Sequence, residues 1–216
     1  GIVKRFLRLC DENGVYEYFR MREAYGPILE FALDNGIEPE FAKKMTELFG
    51  YGTKKLYIET LGAFTGYHDK KRQKPLKFRT KKERELFAFL LDAGDQGATK
   101  EQIHNAVWWD SESNNIKNLI AVNLGHLKND LGGAGIKEAV VCRENRYFVL
   151  RNEMECDTEL FEAAAQKFQA QNSREAAQKL LSLYKGEYLS DFEDLWATAK
   201  RIRYCEIYEE ALKYCL

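Results

Sequence analysis

Apolar residues recur at the three- and four-residue steps of a helix through much of this chain, most clearly between residues 114 and 131. Residues spaced in this way line one side of a helix, so the pattern predicts a helix with one buried side. The buried side would consist of Ile116, Ile120, Leu124, Leu127 and Leu131. The opposite side carries small or hydrogen-bonding residues, namely Asn118, Val122, Gly125 and Asn129, flanked by Ala121, His126 and Lys128.

Two interpretations of that outer side compete. A small, polar outer side lets a helix approach another surface closely, and the major groove of DNA, about 12 Å wide, accepts a helix in this way. An amphipathic helix with an Asn-rich outer side is also common as plain structure, and this stretch alone favours that interpretation. The surrounding segments change the balance.

The first fifty residues show short helical patterns. They predict helices over residues 2–10, 28–34 and 39–49, the second after Gly26-Pro27. Pro39 stands where a first helical turn tolerates proline, and glycines follow at the points where these helices end. Short helices with apolar faces need neighbours, so we expect this segment to close a helical array that lies mostly upstream.

From residue 56 the apolar spacing changes to two. This spacing predicts short strands within residues 56–64 and 74–78, joined by a basic connection. Residues 138–150 show the same spacing on both sides of Glu144-Asn145, which predicts a two-stranded hairpin.

Three further helical patterns begin at residues that can cap a helix. Thr80 precedes a pattern that extends to residue 91, Thr99 precedes one that ends at Trp108, and Ser173 precedes residues 174–184. Helices are also predicted over residues 157–170 and after Trp196.

Aromatic residues are concentrated among the last predicted helices and at one helix end. Most of the C-terminal rings are expected to pack between helices; they are Tyr184, Tyr188, Trp196, Tyr204, Tyr208 and Tyr214. The adjacent Trp108 and Trp109 would point about 100° apart at a helix end, so one could pack in the core while the other covers the loop into the next helix. Packing of both is the favoured interpretation.

The order of strands, three helices and a hairpin is that of a winged helix-turn-helix, in which the third helix reads DNA. Residues 56–150 resemble the OmpR-type DNA-binding domain through RTKKERELFAFLL, GATKEQIHNAVW, NLIAVNLGHLKNDL and the hairpin segment RYFVL. The resemblance implies that Val122, His126 and Lys128 contact bases and phosphates. Family members usually carry arginine where this chain has His126, and histidine is mostly neutral at pH 7.

The last segment resembles the bacterial transcriptional activator domain, a helical-repeat module that follows the winged helix in SARP-type regulators. This likeness covers residues 155–216 through LYKGEYLSDF, Trp196 and the long helix rich in arginine and tyrosine. The first fifty residues resemble, more weakly, the closing helices of the repeat domain in MalT-type regulators. Together the resemblances imply an α+β fold, mainly α, in which TPR-like helical repeats flank a winged helix. The implied domains are a short helical-repeat segment at 1–53, the winged helix at 54–151, and at 152–216 a helical activator domain that starts a TPR-like array.

Composition and charge are compatible with this organisation. With 45% apolar and 13% aromatic residues the 216-residue chain can form packed cores, and no apolar run approaches the length of a membrane helix. Residues 54–84 hold eleven basic against three acidic residues, and residues 151–216 hold nine against thirteen. This asymmetry indicates one segment that faces a polyanion and another that faces a protein or solvent. A basic connection that only keeps the protein soluble is an equally good explanation of the first cluster alone.

No pattern indicates an enzyme. The three histidines and five cysteines show no metal-ligand or nucleophile spacing, and there is no phosphate-binding loop with GK[ST]. The chain has no signal peptide pattern, so we expect a cytoplasmic protein with reduced thiols, no cofactor, and no small-molecule or membrane partner.

The sequence therefore predicts a transcription regulator, of the activator class, that binds double-stranded DNA and contacts RNA polymerase or a second protomer. The residues assigned to the major groove are Lys117, Asn118, Ala121, Val122, Gly125, His126, Lys128 and Asn129. Those assigned to phosphates or to the wing are Arg79, Thr80, Lys81, Lys82, Arg143, Asn145 and Arg146. The alternative is a protein–protein interaction module whose winged helix reads nothing, in which acidic residues 191–194 could fold across the same face.

Overall fold

We describe a computed structural model that covers residues 1–49, 56–69, 71–111, 115–136, 138–151 and 153–215, without the side chains of residues 22 and 23. The chain divides into two compact units, Gly1–Lys54 and Lys55–Leu216. Residue 114, the predicted start of the helical pattern at 114–131, lies outside the described residues.

The first unit is made of short helices around a small apolar core. Its helices are α1 (Ile2–Glu12), α2 (Arg22–Asp34) and α3 (Pro39–Leu48), with a 3₁₀ turn at Glu17–Arg20. The core contains Leu7, Cys10, Phe19, Leu29, Ala32, Phe41, Ala42 and Met45. All three helices were predicted, but the second begins earlier than the sequence indicated.

The early start of α2 places Pro27 inside the helix. A proline there removes one backbone hydrogen bond, at a cost of about 3 kcal/mol, which is why the sequence suggested a break. Tyr25, in the preceding turn, packs its ring against Phe6 and Phe19. This aromatic packing stabilises the turn ahead of the proline.

The second unit begins with the elements of a winged helix. They are β1 (Leu56–Glu59), β2 (Thr65–Tyr67), α4 (Lys81–Ala93), β3 (Ala98–Thr99), α5 (Lys100–Val107), α6 (Ile116–Gly133), β4 (Val140–Arg143) and β5 (Arg146–Val149). They are followed by β6 (Met154–Cys156), α7 (Asp157–Gln171), α8 (Arg174–Leu183) and α9 (Thr198–Cys215). One three-stranded sheet has the order β2-β1-β6 and the other β3-β5-β4.

The predicted caps and the predicted hairpin are confirmed. The Thr80 hydroxyl accepts a hydrogen bond from the Glu83 amide at 3.1 Å. Thr99 and Gln102 form a reciprocal capping box at the start of α5. Glu144 and Asn145 have φ values of 49° and 65°, the left-handed pair that a two-residue hairpin turn requires.

The first sheet differs from the prediction at two strands. The strand predicted at 74–78 is wrong, because Pro75 forms only an isolated bridge to Tyr67 and the strand that pairs with β1 is β2. Proline has no N–H to donate, so a ladder cannot continue through it. The third strand, β6, was not predicted, and it pairs with β1 in parallel.

The C-terminal helices share one continuous apolar core with the winged helix. Asp157, at the start of α7, is buried and accepts hydrogen bonds from the amides of Thr60 and Leu61 and from the Thr60 hydroxyl at 2.7–2.9 Å. This carboxylate ties the end of β1 to α7.

The predicted fold class is confirmed. The second unit is an α+β arrangement, mainly α, in which a winged helix carries further helices. The predicted boundary between residues 151 and 152 stays a prediction.

Candidate nucleic-acid interface

Helix α6 buries the apolar side that its spacing predicts. Ile120, Leu124, Leu127 and Leu131 are buried, and Ile116 is half-buried. These residues pack on α4, α5 and β4. The packing fixes which side of α6 remains open.

The opposite side of α6 is exposed; we call it the reading face, and it consists of Lys117, Asn118, Ala121, Val122, Gly125, His126, Lys128 and Asn129. All except Gly125 and His126 are exposed, and those two are half-buried. Val122 exposes 52% of its surface. A Cβ atom built on Gly125 would meet nothing within 4 Å.

The reading face is cationic. Lys117 and Lys128 form no ion pair with a carboxylate in the part of the chain that the structure describes. The acidic residue of α6, Asp130, is instead engaged by Arg79. An anion that approaches this face would therefore meet lysines that have no internal partner.

Arg79 lies just before α4 and holds Asp130 with its guanidinium group. Its Nε atom lies 3.2 Å from both carboxylate oxygens of Asp130, and its Nη2 atom lies 2.8 Å from one of them. The hydrogen bond from Arg79 holds the pKa of Asp130 below its usual range. Half of the Arg79 side chain remains exposed, so the predicted phosphate contact stays a prediction.

The first turn of α4 contains two lysines in different situations. Lys81 is exposed and has no ion pair among the described residues. Lys82 donates a hydrogen bond to the Val107 carbonyl oxygen and pairs with Glu85 at 3.1 Å. Thr80 uses its hydroxyl for the cap. Of these three residues predicted to contact phosphate, Lys81 is the one whose side chain is least bound to other protein groups.

The wing hairpin shows the same contrast between its two arginines. Arg143 and Asn145 are exposed. Arg146 donates from Nη1 to the carbonyl oxygens of Gln96 and Gly97, both at 3.1 Å, and to the Gln102 side chain at 3.3 Å. Arg146 therefore anchors the wing to the segment that precedes α5.

The acidic segment 191–194 does not lie across the reading face. Asp191 pairs with Arg84 of α4 and accepts a hydrogen bond from the Phe64 amide at 2.9 Å. Burial raises the pKa of Glu85, which also lies on α4. The ion pair with Lys82 opposes this shift, and the nearby Asp194 adds to it. The segment thus packs on the side of α4 that faces Phe64 and leaves the outer side of α6 exposed.

Several residues that shape this interface were not predicted. Glu83 is fully buried on α4 and accepts a hydrogen bond from the Arg79 amide at 2.9 Å. Asn123 is buried on α6 and donates to the Leu119 carbonyl at 2.9 Å. Helical spacing could have found Asn123 on the buried side, whereas the contact of Arg79 with Asp130 joins residues 51 positions apart.

The tryptophan prediction is wrong for one of the two residues. Trp108 is buried, but Trp109 exposes 71% of its surface in the connection from α5 to α6. The C-terminal aromatic residues pack as predicted, for example with Tyr184 stacked on Tyr208 at 4.4 Å between ring centroids.

A polar cavity of about 210 Å³ lies in the second unit near the start of α7. The basic side chains that line it already have protein partners: Arg151 donates to the Leu91 carbonyl oxygen, and Lys200 pairs with Asp92 at 3.0 Å. Within the described ranges, no group of three or more His, Cys, Asp or Glu side chains could hold a metal ion. No described helix is long and apolar enough to cross a bilayer.

Comparison with solved structures identifies a likeness to Mycobacterium tuberculosis EmbR, solved in complex with a low-affinity phosphopeptide. The TM-score is 0.61 at 20% sequence identity, and the match covers 73% of this chain and 44% of the EmbR chain. EmbR is a regulator of the SARP family, so the likeness shows a SARP-like fold. No protein-family profile matches the sequence. No curated protein matches it either.

Proposed function

We propose that this chain is part of a DNA-binding transcription regulator that places α6 in the major groove and the β4–β5 wing against the backbone. The observation that carries the proposal is the reading face, an exposed helix side that is small, polar and cationic. A winged helix uses its third helix in this way, and the wing lies beside it.

Three kinds of side chain divide the work on the reading face. Asn118 and Asn129 can donate and accept hydrogen bonds at adenine edges, and Val122 can contact a thymine methyl group. Lys117 and Lys128 supply charge for phosphates or guanine. His126 can offer a ring nitrogen to a phosphate or to guanine. Ala121 and Gly125 let the backbone approach the bases.

Contacts outside α6 would fix the position of the protein on the duplex. Lys81, Arg143 and Asn145 have the freedom to reach phosphates, because they are exposed. Arg79, Thr80, Lys82 and Arg146 would contribute mainly by holding α4 and the wing in place, with Arg79 and Arg146 able to turn an exposed edge towards the backbone.

The SARP-like fold supports a role in transcription activation. We propose that the C-terminal helices α7, α8 and α9 contact RNA polymerase or a second protomer, as the resemblance of residues 155–216 to the bacterial transcriptional activator domain implies. DNA binding would then recruit the transcription machinery through a separate surface.

The proposal is tested by fluorescence anisotropy of a labelled random-sequence duplex over a salt series. We expect log Kd to vary linearly with log salt concentration, with a slope near 0.9 for each phosphate neutralised. The double variant Lys128→Ala, Asn129→Ala should bind at least about tenfold more weakly, a loss of about 1.4 kcal/mol. The matched control is Gln166→Ala, Lys167→Ala, two exposed residues on α7, which should bind like the wild type.

The alternative function, a protein–protein interaction module, has its own observation. Leu195 and Trp109 expose 88% and 71% of their surfaces, and large exposed apolar residues are typical of protein contacts. If the wild type fails to bind any duplex at low salt while it remains folded, this alternative replaces the DNA-binding proposal.

A further inference from the structure

Glu83 occupies a position where a charged carboxylate would be poorly stabilised. The residue is 0% exposed. Its Oε2 atom accepts a hydrogen bond from the Arg79 amide at 2.9 Å. Its Oε1 atom is buried and has no donor among the described residues. A buried carboxylate oxygen without a donor costs free energy, so the bonding of Oε1 needs an explanation.

Arg79 binds Glu83 and a second carboxyl group, that of the half-buried Asp130 on α6: its amide donates to Glu83, and its guanidinium group donates to Asp130. The two carboxyl groups lie within hydrogen-bonding reach of each other. Two carboxylates in contact repel each other unless they share a proton. Asp130 is held by three donor contacts from the Arg79 guanidinium group. Asp130 is therefore the partner that stays charged, and the proton belongs on Oε1 of Glu83.

The ionisation of the two residues follows the same geometry. Burial raises the pKa of Glu83. The hydrogen bond from the Arg79 amide lowers this pKa, and the contact with Asp130 raises it. Arg79 lowers the pKa of Asp130. Two further groups act on the pair. They are Arg79, ahead of α4, and His126 on α6, which lies one turn before Asp130 and further lowers the pKa of Asp130.

We propose that Glu83 is a positioning residue for the reading face: its carboxylic acid donates a hydrogen bond from Oε1 to Asp130 and so holds the C-terminal half of α6 against α4. This inference rests on the proposed function, because the helix that it positions is the one assigned to DNA. Asp130 directly follows Lys128 and Asn129 in the sequence. Loss of the proton would set two carboxylates against each other and displace these two residues.

The first test separates the proton from simple packing. Glu83→Gln keeps a donor towards Asp130 and an acceptor for the Arg79 amide, whereas Glu83→Ala removes both. Urea unfolding followed by tryptophan fluorescence reports the second unit alone, since all three tryptophans lie in it. At pH 5 we expect Glu83→Gln to unfold at the wild-type urea concentration and Glu83→Ala to unfold at a clearly lower one.

The pH dependence gives the second readout. A carboxyl group with a raised pKa in the folded state stabilises the fold below its ordinary value of 4.5, and this contribution is lost as the pH rises through the folded value. Between pH 5 and 8 the wild-type unfolding midpoint should therefore fall relative to that of Glu83→Gln. His126 is present in both proteins, so its contribution is common to the two profiles. Equal pH profiles for the two proteins would overturn the proposal.

DNA affinity measured over the same pH range links the proton to the reading face. The affinity of both proteins for DNA is compared at the two ends of this pH range. As the pH rises, the wild type should lose about tenfold more affinity than Glu83→Gln does, a factor that corresponds to about 1.4 kcal/mol. Parallel affinity profiles would overturn the positioning role. If the unfolding profiles differ as expected but no protein, including the wild type, binds the duplex, the shared proton stands and the proposed function fails.

Discussion

The reading face of α6 and the contact between β1 and the C-terminal helices use charged residues in opposite ways. On the reading face, Lys117 and Lys128 are exposed and have no carboxylate partner among the described residues. At the other contact, which we call the junction, the charged residues Arg84, Asp157, Asp191 and Arg201 are all bound to protein groups. Arg201, for instance, donates to the carbonyl oxygens of Tyr188 and Leu189, both at 2.9 Å.

This difference shows which charges the fold consumes and which it leaves available. Charged groups inside a protein need partners, because an unpaired buried charge costs several kcal/mol. At the junction the partners are fixed by folding, so these residues contribute to stability. On the reading face water solvates the lysines, and a polyanion can replace that water.

The largest expected effect comes from the junction. Asp157→Ala removes the acceptor of two buried amides and one hydroxyl. We expect the free energy of unfolding to fall by about 3 kcal/mol or more, because each buried donor left unpaired costs about 1–3 kcal/mol. Urea unfolding followed by tryptophan fluorescence measures the loss.

The control for this prediction is Asp69→Ala. Asp69 also accepts hydrogen bonds from backbone amides, including those of Gln73 and Lys74, but in a solvent-accessible turn. Its replacement should cost far less, since water can reach the amides. Equal losses for the two variants would show that the junction does not depend on the buried carboxylate.

A smaller effect separates the two arginines of the wing. Arg146→Ala loses three internal hydrogen bonds and should lower the free energy of unfolding by about 1 kcal/mol. Arg143→Ala should leave stability within about 0.5 kcal/mol of the wild type, as is usual for exposed positions, and weaken DNA binding instead. The comparison breaks down if Arg143→Ala destabilises the fold as much as Arg146→Ala does.

The smallest expected effect is that of Lys81, one of the two lysines at the start of α4. Lys82→Ala loses the ion pair with the buried Glu85 carboxyl group and the hydrogen bond to the Val107 carbonyl oxygen, which should together cost about 1 kcal/mol. Lys81→Ala should not change stability, but it should reduce the salt dependence of DNA binding by about one unit of slope. A Lys81→Ala protein with an unchanged slope would exclude a phosphate contact for this residue.

Local signals predicted most of the helices, and they did so for identifiable reasons. Thr80, Thr99 and Ser173 each cap the helix that their position indicated. The left-handed pair at residues 144–145 fixed the wing turn. The side of α6 that is exposed followed from helical spacing, because four of the five apolar residues in the stripe are fully buried.

Contacts between distant residues could not be predicted. Strands β2 and β6 have three residues each, too few for an alternating pattern to be recognised. The sequence also suggested that every basic residue near the interface was available for phosphate. Lys82 and Arg146 instead bind groups 25 and 44–50 positions away, and nothing in their local sequence indicates this.

The most direct test of the proposed function is a two-dimensional NMR titration of the isotope-labelled chain with a short duplex. The proposal predicts that the amide signals of residues 117–129 and 143–146 shift or broaden most, and that those of α7, α8 and α9 change little. Changes centred on residues 157–215, or none at low salt with the protein folded, would contradict it.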